Sequence, residues 1–249
     1  MKDTQHTEWF TVRAYAVDAD KNIQVPDLVR LMHETAMQHV LRLKLSVWDL
    51  EPQQLAWVLT RITVRIHRLP RLGERIHIVT NPSGFERIRT YRDYRVFNEQ
   101  GALLASAVSL WFLMDTASRR LARVPEVIKT QIESIVAQLT DFLPKPDTKA
   151  PTFGEATAER HYQVGYHELD FNDHLNNIYY AQWLLDAIPG AFQQKYDLVQ
   201  LDIFYKNECV LDDQILAQAT SLDKLHWQQR LLKEGQEVAL GESYWRPKS

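Results

Sequence analysis

The sequence has 249 residues, of which 45% are apolar and 24% are charged, as in ordinary globular proteins and unlike disordered, fibrous or membrane-embedded chains. Its 29 basic and 32 acidic residues give a net charge of −3, which excludes a polybasic tail that binds nucleic acids or membranes as the main functional feature. The single cysteine, Cys209, excludes an intramolecular disulfide framework and a cysteine-rich zinc site. Because there is no apolar signal core at the N-terminus and no apolar stretch of membrane-spanning length, we expect a cytoplasmic protein without a membrane span.

The first half of the chain predicts a helix followed by a meander of strands. Apolar residues recur at helical spacing from Leu28 to Val40, and Pro26 suits a first helical turn. Residues 61–67 alternate polar and apolar side chains, as a strand with one buried face does. Further strands are predicted at residues 75–80, 90–97 and 103–114, with a turn at residues 98–101.

The second half repeats this order after a connector. Residues 144–156 contain three prolines, which favours an extended linker. We therefore predict one domain over residues 1–143, which ends in a trailing helix, and a second over residues 157–249. The second domain has a helical apolar stripe from Tyr180 to Ile188, a strand from Leu201 to Tyr205, and a hairpin from Trp227 to Trp245.

Individual motifs of the two halves also align. Asp18-x-Asp20-x-Asn22 precedes the first helix, as Asp170-x-Asn172-x-His174 precedes the second. Residues 69–74 correspond to residues 208–213, and Ser109-x-Trp111 corresponds to Ser243-x-Trp245. We predict a pair of related domains, in which the second alone carries a histidine in this motif.

The second motif is a candidate catalytic site. In an extended backbone, residues at i, i+2 and i+4 point the same way, so Asp170, Asn172 and His174 would present a carboxylate, an amide and an imidazole together. The N-terminus of the following helix offers backbone N–H groups for a developing oxyanion. Glu208, a carboxylate at the end of an apolar strand, is a further catalytic candidate.

Other interpretations of these residues remain. Asp170 and Asn172 are also typical of a turn, with Asn176 or Asn177 as the helix N-cap. A calcium loop is excluded because Leu175 and Ala181 stand where a glycine and a glutamate are required, and the histidines lack zinc-ligand spacing. We expect no metal and no cofactor. Cys209 as a nucleophile, with His174 as its base, is a disfavoured alternative, because a lone cysteine at a strand end usually serves packing.

The stretch from Glu168 to Trp183 resembles the D-x-N-x-H-x-N-N motif of the acyl-ACP thioesterases of plants and bacteria. Residues 57–61, 111–114 and 119–125 resemble other signature blocks of that family, and the resemblance extends from about Phe10 to Trp245. It implies an α+β double hotdog, in which two tandem hotdog repeats each have a long helix wrapped by an antiparallel sheet. It also implies hydrolysis of fatty acyl-ACP to a free fatty acid and ACP in fatty acid biosynthesis.

The resemblance implies four catalytic residues and one disfavoured candidate for a nucleophile. The four residues are Asp170, Asn172, His174 and Glu208, while Cys209 matches a cysteine once proposed as the nucleophile of the family. We expect Glu208, helped by His174, to take a proton from water, while Asn172 orients the water or the carbonyl and Asp170 fixes its neighbours. Which of Glu208 and His174 is the general base stays open, as does the preferred acyl chain length and saturation.

Local charge predicts the partner. Residues 55–125 contain twelve arginines, no lysine and five acidic residues, which gives this segment a net charge of +7. Arg119, Arg120 and Arg123 are the candidates for binding acyl carrier protein and its phosphopantetheine phosphate. We expect the first domain, which contains them, to bind the acyl chain as well. Nucleic acid is not expected, because the charge lies on strands without a recognition helix. An acyl-CoA thioesterase and a non-catalytic acyl-binding hotdog module are the alternatives, and both a monomer and a homodimer are compatible with the sequence.

Overall fold

The computed structural model describes residues 4–146 and 149–248. These residues form two compact units, the first of residues 4–62 and 67–146 and the second of residues 63–66 and 149–248. Within the described residues, no helix combines the length and apolar character needed to cross a membrane.

The first unit is an antiparallel sheet with a long helix packed on it. Its elements are β1 (His6–Thr11), α1 (Val25–Leu43), α2 (Val47–Leu50), β2 (Leu55–Ile66, whose residues 63–66 are grouped with the second unit), β3 (Arg75–Glu86), β4 (Arg89–Asn98), β5 (Leu103–Asp115), β6 (Arg120–Leu121) and α3 (Glu126–Val136). The sheet order is β1-β3-β4-β5-β2, with β6 paired to β5. The neighbours from β1 to β5 in this order are antiparallel.

Helix α1 follows the predicted apolar stripe. Leu28, Val29 and Met32 are fully buried and Ala36 is 7% exposed, so the stripe faces the sheet, where α1 packs on β3 and β1. The helix ends at Leu43, and the left-handed backbone of the next residue, Lys44 (φ 55°), caps its last turn.

The second unit repeats the arrangement with a shorter helix. Its elements are β7 (Ala158–Gln163), α4 (Asn177–Asp186), α5 (Gly190–Gln193), β8 (Tyr196–Tyr205), β9 (Gln214–Asp223), β10 (His226–Lys233) and β11 (Gln236–Pro247). The sheet order is β8-β11-β10-β9-β7, and all these neighbours are antiparallel. Helix α4 packs on β9, β10 and β11, and it stops two residues before Ile188 because Pro189 disfavours a helical conformation there. Two units of this kind make the fold a double hotdog.

The loop before the helix is closed by the same hydrogen bonds in both units. In the first unit, Asp18 Oδ1 accepts the N–H of Asn22 at 2.9 Å, and the N–H of Asp18 donates to the Asn22 carbonyl at 2.8 Å. In the second unit, Asp170 Oδ1 accepts the N–H of His174 at 3.4 Å, and the N–H of Asp170 donates to the His174 carbonyl at 2.7 Å. The aligned motifs of the two halves are therefore equivalent in structure, as predicted.

The second pair of aligned segments, residues 69–74 and 208–213, agrees equally well. The N–H of Ile23 donates to the Pro70 carbonyl at 2.8 Å, and the N–H of Leu175 donates to the Cys209 carbonyl at 2.8 Å. These bonds join the helix-entry loop to the strand-end loop in each unit. Position 69 therefore corresponds to position 208, and position 22 corresponds to position 174.

Candidate active site

The loop that carries Asp170, Asn172 and His174 is tightly folded. Asp170 Oδ1 accepts the backbone N–H of Asn172 at 2.8 Å and that of His174 at 3.4 Å. Asp173 has a left-handed backbone with φ 59°. The prediction that an extended backbone presents the three side chains on one side is therefore wrong, because the Asp170 carboxylate turns back onto the N–H groups of its own loop.

Asn176 is the N-cap of α4, as the turn-and-cap interpretation predicts. Its side-chain oxygen accepts the N–H of Ile178 at 3.2 Å, and its carbonyl accepts the N–H of Tyr179 at 3.0 Å. Two of the first N–H groups of the helix are thus already bonded within the protein, so neither is available in this conformation to hold an oxyanion.

His174 and Glu208 lie side by side. Their nearest atoms, His174 Nε2 and Glu208 Oε2, are 3.4 Å apart, and the side chains are 26% and 32% exposed. The backbone bond from Leu175 N–H to the Cys209 carbonyl links the residues that follow them, which brings the two loops together. The structure thus joins an imidazole and a carboxylate at a position that water can reach, which is the arrangement a general base requires.

Asn172 differs from its neighbours in its exposure. Its side chain is solvent-exposed, whereas His174 is partly buried. The structure therefore places the amide at the outer surface of the loop, and a role in orienting a ligand would require that ligand to lie over this surface.

Cys209 is poorly suited to be a nucleophile. The residue is fully buried, and burial raises the pKa of its thiol above its ordinary value, although a hydrogen bond with Tyr180 opposes that effect. The thiolate is the reactive form of cysteine, so a raised pKa disfavours nucleophilic attack. The backbone of Cys209, by contrast, bonds to both Leu175 and Tyr180.

Tyr180 contacts the loop that carries Glu208, and the sequence did not predict this contact. The apolar stripe of α4 contains this residue, so its side chain resembled ordinary core packing. In the structure its hydroxyl bonds to the backbone on both sides of Glu208. The sequence signal for this role is a hydroxyl group within an otherwise apolar stripe, six residues after His174.

The three predicted carrier-binding arginines lie in the first unit, around β6, and all three are exposed. Arg119 occupies a left-handed turn with φ 57°, Arg120 lies in β6, and Arg123 lines a groove of about 460 Å³. The groove brings together three cationic residues, three apolar residues and one acid: Arg87, Arg123, Lys129, Phe85, Ile88, Val124 and Glu133. The groove lining thus includes Arg123 but neither Arg119 nor Arg120, and it adds Lys129, which the sequence did not single out.

The first unit lacks the residues that would make a second site of this kind. Asn22 stands at the position of His174, and Leu69 stands at the position of Glu208. In the described part of the chain, no three His, Cys, Asp or Glu residues are grouped so that they could hold a metal ion. The second unit therefore has an imidazole and a carboxylate where the first unit has an amide and an aliphatic side chain.

The fold and this pair of residues define a double-hotdog protein with a candidate hydrolytic site in its second unit. Comparison with known families finds the same division into two parts: the family model for the acyl-ACP thioesterase N-terminal domain matches residues 3–132, and the model for the C-terminal domain matches residues 153–247. The chain belongs to the acyl-ACP thioesterase family.

Similar proteins come from plants and bacteria. The chain is 29% identical to a chloroplastic palmitoyl-acyl carrier protein thioesterase of Gossypium hirsutum, over 96% of this chain and 63% of the relative. It spans less than two thirds of that relative's length. Among solved structures, a 12:0-ACP thioesterase from Umbellularia californica has a TM-score of 0.89 at 22% identity, with 98% of each chain covered. An acyl-ACP thioesterase from Bacteroides thetaiotaomicron has a TM-score of 0.87 at 19% identity, also with 98% of each chain covered.

Proposed function

We propose that this protein hydrolyses the thioester of fatty acyl-ACP, releasing a free fatty acid and the carrier protein in fatty acid biosynthesis. The observation that carries the proposal is the 3.4 Å contact between His174 Nε2 and Glu208 Oε2 in the unit that matches the C-terminal family model. The relatives named as acyl-ACP thioesterases supply the substrate class.

The pair of His174 and Glu208 acts on a water molecule. The pair takes a proton from the water while the water oxygen attacks the thioester carbonyl carbon, and the proton then passes to the sulfur as the carbon–sulfur bond breaks. General-base help of this kind contributes about 10²- to 10⁴-fold to the rate. Asn172, exposed at the loop surface, orients the water or the carbonyl, and Asp170 holds the loop through its bonds to two N–H groups.

The first unit binds the substrate. Asn22 and Leu69 stand in place of the histidine and the glutamate, so this unit lacks the catalytic pair. It keeps the framework of a helix packed on a sheet. We assign to the N-terminal domain, residues 1–143, the binding of the acyl chain and of the carrier, with residues 144–156 as the linker and residues 157–249 as the catalytic domain.

Charge supports a carrier protein as the partner. Residues 55–125 have a net charge of +7 in a chain of net charge −3. Arg123, together with Arg87 and Lys129, lines a groove that also contains apolar side chains. An acidic carrier would be attracted to such a surface, and arginine side chains bind phosphate groups well.

The test is release of free thiol from acyl-ACP substrates of graded chain length, with acyl-CoA of matching length in parallel. We expect rapid release from acyl-ACP, little from acyl-CoA, and loss of release in His174→Ala but not in His161→Ala, a change at an exposed histidine of the same unit. Equal rates on both carriers would remove the carrier-protein claim and leave thioester hydrolysis. Release from neither carrier would overturn the proposal in favour of an acyl-binding module.

A further inference from the structure

The hydroxyl of Tyr180 binds the two peptide groups that flank Glu208. It donates to the carbonyl oxygen of Asn207 at 3.2 Å and accepts the backbone N–H of Cys209 at 3.0 Å. The side chain is 3% exposed and projects from α4, the helix that begins directly after the His174 loop. The catalytic candidate Glu208 is therefore held between two backbone contacts to a single buried atom.

The tyrosine hydroxyl makes one hydrogen bond on each side of residue 208. A phenolic hydroxyl can donate and accept at once, so Tyr180 can donate to the Asn207 carbonyl while its oxygen accepts the N–H of Cys209. Fixing the peptide groups before and after a residue restricts its backbone and hence the direction of its side chain. Burial raises the pKa of Tyr180, so its hydroxyl stays protonated and keeps both bonds at physiological pH.

The ring of Tyr180 is itself fixed. It packs edge-to-face against Tyr205, with ring centroids 5.5 Å apart. The hydroxyl of Tyr205 donates to the carbonyl of Asn177, the first residue of α4, at 3.4 Å. This aromatic pair thus links the start of the helix to the loop that contains Glu208.

The first unit shows that the fold does not need these bonds. Leu28 stands at the position of Tyr180 and has no hydroxyl, and Pro70 stands at the position of Cys209 and has no N–H to donate. The strand-end loop is nevertheless joined to the helix-entry loop by the same 2.8 Å backbone bond. Both halves of the tyrosine contact are therefore missing in the unit that has Leu69 in place of the glutamate.

We propose that Tyr180 is a positioning residue, which holds Glu208 against His174 and is required for catalysis and not for the fold of the unit. This inference rests on the proposed function, because it assigns Tyr180 a role in the same reaction. Tyr180 acts on Glu208 through the backbone of Asn207 and Cys209, so it does not touch the reacting atoms.

The test compares Tyr180→Phe with Tyr196→Phe, which removes a tyrosine hydroxyl at the opposite end of β8 from the Glu208 loop. We expect Tyr180→Phe to lower kcat on acyl-ACP about tenfold to a hundredfold, since misplacing a catalytic group by about 1 Å has effects of this size, and to leave KM nearly unchanged. We expect Tyr196→Phe to keep kcat within about twofold of the unmodified protein. A Tyr180→Phe protein with the kcat of the unmodified protein would overturn the proposal.

A double variant separates positioning from a merely structural role. If Tyr180 acts through Glu208, then Tyr180→Phe lowers kcat no further once Glu208→Gln is present. A full additional loss in the double variant would contradict the proposal. Should Tyr180→Phe fail to fold, Cys209→Pro removes one of the two hydrogen bonds, the one from the Cys209 N–H, and copies the residue that the first unit already holds there, with a fall in kcat again expected.

The outcome also distinguishes this inference from the proposed function. If Glu208→Gln itself hydrolyses acyl-ACP as fast as the unmodified protein, the proposed function of the pair fails. If Glu208→Gln is slow and Tyr180→Phe is not, the pair stands and only the positioning role fails.

Discussion

Asn22 and His174 hold equivalent positions: each donates its backbone N–H to the aspartate four residues earlier, at 2.9 Å in the first unit and 3.4 Å in the second. The backbone of the loop is thus common to both units, while the side chains at this position differ. The loop serves the fold in both units, and under the proposed function the imidazole adds chemistry in one of them. Substitutions at paired positions can therefore separate stability from catalysis.

The aspartate of the loop offers such a pair. Asp170→Ala removes the acceptor of two N–H groups, and Asp18→Ala removes the acceptor of the Asn22 N–H. We expect each change to lower the free energy of unfolding by about 1–2 kcal/mol, because a backbone donor loses a charged acceptor. Only Asp170→Ala should also lower kcat, by about tenfold or more, since it displaces His174.

Thermal unfolding and thiol release on the same two proteins check this expectation. Equal losses of kcat in the two variants would contradict the view that the second loop alone positions catalytic groups.

Cys209 is expected to be dispensable for the reaction. Cys209→Ala should keep kcat within about threefold, with a loss of about 1 kcal/mol of stability from the small cavity created in the core. Because the buried thiol has a raised pKa, the native protein should react slowly with iodoacetamide and rapidly once unfolded. A variant that folds and has lost all thiol release would instead support the nucleophile interpretation.

Arg123 is expected to affect the carrier and not the chemistry. Arg123→Glu reverses a charge in the groove that Arg87 and Lys129 also line, so KM for acyl-ACP should rise about tenfold, while hydrolysis of a carrier-free thioester is unchanged. Arg13→Glu, at an exposed arginine outside this groove, is the matched control. Identical KM changes in the two variants would mean that net charge alone, and not the groove, attracts the carrier.

The stability of the first unit should depend on pH through His33 of α1. Burial lowers the pKa of His33 from about 6.5 to about 4, and its Nε2 is buried without a hydrogen-bond partner. The unfolded chain therefore binds more protons than the folded chain between these two values, so stability is retained above pH 6.5 and declines as the pH falls to 4, by up to about 3 kcal/mol.

Denaturant unfolding at pH 7, 6, 5 and 4 measures this decline. His33→Phe, which cannot be protonated, should lose less stability than the unmodified protein over that range, and the exposed His161→Phe should follow the unmodified protein. Parallel curves for the unmodified protein and His33→Phe would contradict the prediction.

Much of the fold could be predicted from the sequence because it depends on periodicity. The stripe of α1 and the hairpin of β10 and β11, with its turn at Glu234 and Gly235, appear where apolar spacing and turn residues indicate them. The full length of β3 could not be predicted. It continues through Pro82 to Glu86 because it pairs with β4 across an irregularity in the register between Pro82 and Gly84, in a segment whose residues are typical of a turn.

The candidate site was predictable in its residue types and less so in its geometry. The resemblance to the thioesterase motif identified His174 and Glu208, which the structure places together. The conformation of the loop depends on hydrogen bonds from backbone N–H groups to the Asp170 side chain, which no alternation pattern encodes. The contact of Tyr180 with the Glu208 loop depends on the tertiary packing of a helix, so spacing along the chain could not show it.

The most direct test of the account is a double-mutant cycle on the pair, with kcat/KM for acyl-ACP measured in the unmodified protein, His174→Ala, Glu208→Gln and the combination. If the imidazole and the carboxylate act as one unit on water, each single change should lower kcat/KM by about 10²-fold or more, and the combination should lose little beyond the larger single loss. Undiminished turnover in Glu208→Gln, or losses that multiply in full, would contradict a mechanism in which the two residues act together.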